Sequence, residues 1–117
     1  MEKSASARLI EAAYAVLARE GAKGATVRAI EAQAGVPHGS VRHHFGDRSG
    51  LILGLVDDLL ARDRDRLPEQ PEATMARMLG SDRDLTIARY ELFLMATRDE
   101  TLRGRIVSAR DELVALA

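Results

Sequence analysis

One short segment, residues 26–51, most constrains what this chain can fold into, because a glycine and a proline interrupt a helical pattern inside it. Before the interruption, Thr26 is suited to cap a helix start, since its hydroxyl can accept an unpaired backbone N–H. The apolar residues of that helix recur every three or four positions, at Val27, Ile30 and Ala34. Gly35 then adopts the left-handed conformation of a helix end without strain, and Pro37 prevents the same helix from continuing. The sequence therefore predicts two short helices joined by a tight turn.

The second of these helices has two different faces. Val41 and Phe45 are four residues apart and therefore share one face, which we expect to be buried. The opposite face carries small, cationic or hydrogen-bonding residues, namely Gly39, Ser40, Arg42 and His43. Serine, arginine and histidine side chains hydrogen-bond base edges or phosphate oxygens, and a glycine lets a helix backbone approach the floor of a groove. Arg48 follows at the start of the next helix, where its cation and the unpaired N–H groups suit a phosphate. This pattern is typical of a helix-turn-helix that reads DNA.

Four segments, taken in order and spacing, resemble the DNA-binding domain of the TetR/AcrR family of transcriptional regulators over about residues 6–60. They are the first helix RLIEAAYAVLAREG, a connection ending in AT, the helix TVRAIEAQAGV and the reader PHGSVRHHFGDRSGLI. The resemblance implies that the third helix enters the major groove of double-stranded DNA, and that the C-terminal helices bind a small ligand and form a dimer. It implies two sets of DNA contacts, to phosphates by Thr26, Arg28 and Arg48, and in the groove by His38, Gly39, Ser40 and His43.

The chain departs from the family pattern at two positions. Arg42 stands where the family usually has a phosphate-binding tyrosine, and Arg48 stands where it usually has a lysine. Both departures keep or add positive charge, so we expect phosphate binding to persist and include Arg42 among the DNA-binding residues.

The charge of the chain is unevenly distributed. The net charge is −1, which by itself does not favour nucleic acid. Residues 19–48, however, contain five lysines and arginines against three acids, a local balance of +2, together with all three histidines. A modest basic region of this kind favours recognition of a specific site through a few contacts over nonspecific coating of DNA.

Helical patterns continue to the end of the chain, so we predict an all-α fold: a three-helix DNA-binding domain with a helix-turn-helix, followed by a partial α-helical regulatory domain. The DNA-binding domain is predicted over residues 1–49, and the regulatory, ligand-binding region over residues 50–117. Beside the two helices already described, the predicted helices cover residues 4–20, 50–67, 72–80, 84–98 and 101–117.

The C-terminal region contains a nearly continuous apolar run at residues 90–95, which predicts a helix that is buried on most sides or lines a cavity. Periodicity does not separate these cases, and plain core packing is favoured about three to one at any single residue. The resemblance implies that some of the run borders a ligand pocket, and the candidates are Tyr90, Phe93 and Leu94. The resemblance also implies two further helices, so the chain is interpreted as either a fragment or a short variant. In a fragment, apolar residues such as Leu102 and Leu116 would face absent partners.

Other chemistries find little support in the sequence. There is no cysteine, and no apolar run is long enough to span a bilayer or form a secretory signal, so a cytoplasmic protein without membrane contact is the expectation. Adjacent residues on a helix diverge by about 100°, so His43 and His44 do not converge on one metal ion, and a structural role for His44 against the first helix is favoured. No cofactor and no catalytic residue is predicted.

Two functional interpretations remain open. The first is a ligand-responsive repressor that binds a palindromic operator as a homodimer and releases it when a small-molecule effector binds. The second is an α-helical enzyme or scaffold protein in which the helix-turn-helix is only structural.

Overall fold

In the computed structural model, the described residues, 3–116, form seven α-helices and no strand, which confirms the all-α prediction. Residues 1, 2 and 117 are outside this range, as are the outermost ends of the two predicted domains. The helices are α1 (Ala5–Gly24), α2 (Val27–Ala34), α3 (Ser40–Phe45), α4 (Arg48–Asp65), α5 (Pro71–Leu79), α6 (Arg83–Ala96) and α7 (Glu100–Leu116).

The first helix breaks where the sequence predicts. Ser4 caps α1 by accepting the N–H of Ala7 at 3.2 Å. At Gly21 the backbone leaves the helical region, with φ of 75°, and one more turn follows as far as Gly24. A glycine at the break lets this short turn point in a new direction, toward the start of α2.

The turn between α2 and α3 follows the predicted chemistry. The hydroxyl of Thr26 accepts the N–H of Ala29 at 3.1 Å, which caps α2, and Gly35 ends α2 with φ of 66°. The guanidinium of Arg8 in α1 donates to the carbonyl of Gly35 at 3.1 Å and fixes the turn against α1. Gly39, immediately before α3, has φ of 95°, so the backbone itself needs a glycine here, in addition to any need for a close approach to DNA.

The fourth helix begins two residues before the predicted start. Asp47 caps it by accepting the N–H of Gly50 at 2.8 Å, so Arg48 lies in the first helical turn. The helix ends at Asp65, two residues before the predicted end. The starts of α5, α6 and α7 each differ by one residue from the prediction, which is the usual scale of such differences.

A single hydrophobic core extends through both predicted domains. Its largest fully buried side chains come from α1, α2, α3, α4, α6 and α7: Leu9, Val16, Leu17, Ile30, Val41, Leu51, Leu55, Leu92 and Leu102. Helix α4 packs against α1 and α3 on the N-terminal side and against α7 on the C-terminal side. The domain boundary at residues 49 and 50 therefore remains a prediction, because α4 belongs to the packing of both regions.

A buried tyrosine joins α1 to α4. The hydroxyl of Tyr14 donates to Asp58 at 2.7 Å and lies 3.0 Å from the carbonyl oxygen of Leu55. The guanidinium of Arg62 stacks on the Tyr14 ring, 5.3 Å from its centre. Burial, together with the neighbouring carboxylate of Asp58, raises the pKa of Tyr14 well above its usual range. These contacts join α1 to α4 through a hydrogen bond and a cation–π contact.

The apolar run of residues 90–95 is less buried than the sequence predicts. Leu92 is fully buried, but Tyr90 is 56% exposed and Leu94 is 64% exposed. Helix α6 packs against α1, α5 and α7, and consecutive residues point about 100° apart, so part of the run faces outward. The expectation that Leu102 faces an absent partner is also wrong, because this side chain is buried in the core.

Between residues 3 and 116, the helices do not combine the length and apolar character that crossing a bilayer requires.

Candidate nucleic-acid interface

Helix α3 presents the face that the sequence predicts. Val41 is buried and Phe45 is half-buried, whereas Arg42, His43 and His44 are exposed. The ring of His44 meets the ring of His43 edge to face at 4.7 Å, and the structural role of His44 against α1 stays a prediction. A cationic side chain and two imidazoles therefore project from one short helix.

The other predicted contact residues before and at the start of α3 differ in exposure. Thr26 and Arg28 are exposed at the start of α2, and His38 is exposed in the turn before α3. Ser40 is half-buried, and its hydroxyl donates to the carbonyl of Pro37 at 2.6 Å. The serine therefore uses its proton within the turn while its oxygen can still accept a hydrogen bond.

Arg48 has partners within the protein. Its Nε donates to the carbonyl oxygen of Ala25 at 2.8 Å, and one terminal nitrogen donates to that of Ala22 at 2.7 Å. The guanidinium thus joins the start of α4 to the last turn of α1. Since arginine has five N–H donors, those left over remain available to a phosphate, and the phosphate contact of Arg48 remains a prediction.

Glu31 is a residue that the sequence reasoning missed. It lies in α2, is 3% exposed, and is the one buried charged residue among those the structure describes. Its Oε2 accepts the backbone N–H groups of Gly39 and Val41, both at 3.0 Å. Its Oε1 makes no hydrogen bond within the described part of the chain but lies 3.2 Å from Nδ1 of His38. The signal in the sequence was an acidic residue four positions after Val27, inside the apolar stripe.

The electrostatics of Glu31 follow from these contacts. The N–H of Val41 lowers the pKa of the carboxyl group most, and the N–H of Gly39 and the imidazole of His38 lower it further, against the opposing effect of burial. The side chain is therefore a carboxylate that caps the N-terminus of α3.

A cavity of about 210 Å³ lies between α4, α6 and α7. Most of its lining is aliphatic, and Arg89 and Asp63 form a two-contact ion pair in its wall, at 2.9 and 2.7 Å. Of the three predicted ligand residues, Phe93 lines this cavity. Tyr90 is an exposed neighbour whose ring lies 5.8 Å from that of Phe93, and Leu94 lines a shallow pocket beside Ala22. The three residues are therefore not brought together at one site.

In residues 3–116 no three histidine, aspartate or glutamate side chains are grouped so that they could hold a metal ion.

Two helices joined by a tight turn, with a basic and hydrogen-bonding face on the second, define a helix-turn-helix protein. Two family models match most of the chain. The model described as "Bacterial regulatory proteins, tetR family" matches residues 9–55, and the model described as "Tetracyclin repressor-like, C-terminal domain" matches residues 62–117. The chain belongs to the tetR family of bacterial regulatory proteins.

Curated relatives extend this comparison. The chain is 30% identical over 112 residues to the HTH-type transcriptional repressor AcnR of Corynebacterium glutamicum, across 91% of this chain and 60% of that protein. It is 39% identical over 113 residues to the HTH-type transcriptional repressor KstR2 of Mycobacterium tuberculosis, across 93% of this chain and 51% of that protein. The chain therefore spans between half and three fifths of the length of these two relatives.

Proposed function

We propose that this protein is a sequence-specific DNA-binding transcriptional regulator that acts as a repressor. The observation that carries the proposal is the exposed face of α3, where Arg42 and His43 project from a helix held by the turn after α2. The names of AcnR and KstR2, both transcriptional repressors, support the same function. We infer that the protein acts by binding rather than by catalysis, and that it works in the cytoplasm, where bacterial DNA is found.

In this proposal, two groups of residues have different tasks on DNA. Phosphate contacts position the protein without reading sequence, and base contacts provide the specificity. We assign Thr26, Arg28, Arg42 and Arg48 to phosphates, and His38, Gly39, Ser40 and His43 to the major groove. Residues 1–49 form the DNA-binding part and residues 50–117 the regulatory part, with α4 connecting the two.

Selection of duplexes from a random DNA pool tests the function. We expect the protein to enrich one sequence, and expect its affinity for that duplex to fall as salt rises, because phosphate contacts release counterions. If no sequence is enriched after several rounds and the protein retains no duplex even at low salt, the proposal is contradicted. That result favours the interpretation in which the helix-turn-helix is only structural.

Substitution of His43 tests the assignment of base reading. The change His43→Ala is expected to reduce discrimination at one base position of each half-site by about 1–3 kcal/mol, because a direct base contact is lost. Arg28→Ala is the matched comparison, since a phosphate contact affects all sequences about equally. Binding is measured against a panel of single-base variants of the selected duplex. A uniform loss in His43→Ala would assign this residue to the backbone instead.

We further propose that the protein is a homodimer on a palindromic operator. Exposed apolar side chains on α6 and α7, including Leu94 and Val114, support a partner that covers part of these helices. Two half-sites one turn of DNA apart are separated by about 34–36 Å, so a dimer is needed to read both. Sedimentation with half-site and palindromic duplexes tests the proposal, and equal affinity for both duplexes would contradict it.

The cavity between α4, α6 and α7 is our proposed site for a small-molecule effector. Its aliphatic lining favours an apolar ligand, and Phe93 is the predicted ligand residue that lines it. Helix α4 packs against α3 and also lines the cavity. A ligand that shifts α4 therefore also shifts α3 and its DNA-binding face.

Filling the cavity tests this site. Ala109 lines it, so Ala109→Phe is expected to weaken binding of the aromatic sulfonate dye 1-anilinonaphthalene-8-sulfonate by roughly tenfold, because the new ring occupies the volume. Ser108→Phe is the control, since Ser108 is exposed on the same helix and is not a lining residue. Fluorescence titration measures both. Equal dye affinity in the two variants would show that the cavity is not the binding site.

A further inference from the structure

We propose that Glu31 is a positioning residue for DNA recognition, an inference that rests on the proposed function. Its carboxylate holds the first turn of α3 from the neighbouring helix α2 and so determines how the exposed face of α3 meets the groove. Glu31 itself does not touch DNA in this proposal, because it is buried.

The start of α3 needs an acceptor from elsewhere in the fold. Every helix begins with backbone N–H groups that have no partner inside the helix, and a side chain at the N-cap usually accepts one. Here the N-cap is Gly39, which has no side chain, and the hydroxyl of Ser40 donates its proton to Pro37. Glu31 takes the place of the missing cap, because its Oε2 accepts the N–H groups of Gly39 and Val41.

The length of α3 makes this contact important. The helix has six residues, and helices this short are not stable in water without support from the rest of the protein. Val41 provides apolar support on one face of α3. The carboxylate of Glu31 provides polar support at the N-terminus, where a negative charge also interacts favourably with the helix dipole.

The same contact connects the two groups of proposed DNA contacts. Glu31 is four residues after Val27, so it moves with the start of α2, where Thr26 and Arg28 are exposed. Its hydrogen bonds come from Gly39, the N-cap of α3, and from Val41 in α3, two residues before His43. The phosphate-binding and base-reading residues are thereby held as one unit, and loss of the carboxylate is expected to reduce sequence preference more than general affinity for DNA.

Because the carboxylate is buried, replacing Glu31 with alanine is expected to disturb α3 more than replacing it with glutamine. A glutamine keeps an oxygen that can accept both N–H groups but loses the charge. An alanine leaves the N–H of Val41 without a partner inside the protein, and an unpaired buried donor is more costly than a weakened hydrogen bond. Alanine is therefore expected to release α3, and glutamine to retain most of its position.

Hydrogen exchange of individual amides tests the structural half of the proposal without DNA. In Glu31→Ala we expect exchange of the Gly39 and Val41 amides to rise by roughly tenfold or more, while amides in the middle of α1 and α4 keep their wild-type rates. Glu31→Gln is expected to stay within roughly fivefold of wild type, and exposed Glu72→Gln is the charge-matched control. Unchanged rates at Gly39 and Val41 in Glu31→Ala would overturn the proposal.

Binding to the selected duplex and to a scrambled duplex tests the functional half. Glu31→Ala is expected to weaken specific binding by roughly 10- to 100-fold and to change scrambled-duplex binding by less than about threefold, with glutamine restoring most of the preference. If the wild type binds the selected sequence and Glu31→Ala keeps both affinity and preference, the positioning role is wrong although the proposed function stands. If the wild type selects no sequence at all, the proposed function is wrong, and the role of Glu31 in DNA recognition is overturned with it.

Discussion

Replacing Leu55 with alanine is expected to lower the free energy of unfolding by about 2–5 kcal/mol. Leu55 lies in the middle of α4, is 0% exposed, and belongs to the core that the N-terminal and C-terminal helices share. The substitution removes buried apolar surface and leaves a cavity that the surrounding helices fill only in part. Because the core is continuous, we expect the whole chain to unfold in one cooperative transition at the lower stability.

Denaturant unfolding followed by circular dichroism measures this effect. The matched control is Leu79→Ala, since Leu79 is 68% exposed on α5 and its loss is expected to change stability by no more than about 0.5 kcal/mol. Two separate transitions in the Leu55→Ala variant, or a change no larger than that of the control, would contradict a shared core.

Replacing Arg48 with alanine is expected to have two effects of different origin. Loss of the hydrogen bonds to the carbonyls of Ala22 and Ala25 lowers the free energy of unfolding by about 2–4 kcal/mol, because each is a partly buried hydrogen bond with a charged donor. Loss of the proposed phosphate contact weakens DNA binding about equally for all sequences and lowers the slope of log affinity against log salt by roughly one.

Arg48→Lys separates these effects. Lysine keeps the positive charge, so the salt slope should remain close to that of the wild type. A compact ammonium does not reproduce the planar guanidinium that reaches both carbonyls, so part of the stability loss should persist. Salt titrations are compared at a temperature where all variants are folded. An unchanged slope in Arg48→Ala would remove Arg48 from the phosphate contacts and leave it a structural residue only.

The local structure of the helix-turn-helix could be predicted because its signals are local. A capping threonine at residue 26, a glycine at residue 35 and the i, i+4 pair Val41 and Phe45 each restrict the backbone through their own chemistry. The structure confirms the cap at Thr26, the left-handed Gly35 and the buried Val41. The candidate DNA-binding face followed from the same periodicity.

The remaining features depend on contacts between distant residues. Arg48 reaches carbonyls more than twenty positions earlier in the chain, and the sequence does not indicate which acceptor an arginine will find. The burial of Glu31 could not be predicted for a related reason. Its carboxylate is stabilised by backbone N–H groups of Gly39 and Val41, which the sequence does not place beside it. The exposure of Tyr90 depends on which helices pack against α6, and an apolar run alone does not say how many sides are covered.

The central claim, that the exposed face of α3 and the start of α2 contact DNA, is tested most directly by NMR. The selected duplex is added to isotope-labelled protein, and the shift of each backbone amide is followed. We predict that the largest changes lie at residues 26–28 and 38–43, with α5 nearly unaffected. Changes concentrated in α5, α6 and α7, with residues 38–43 unaltered at saturating DNA, would contradict the account.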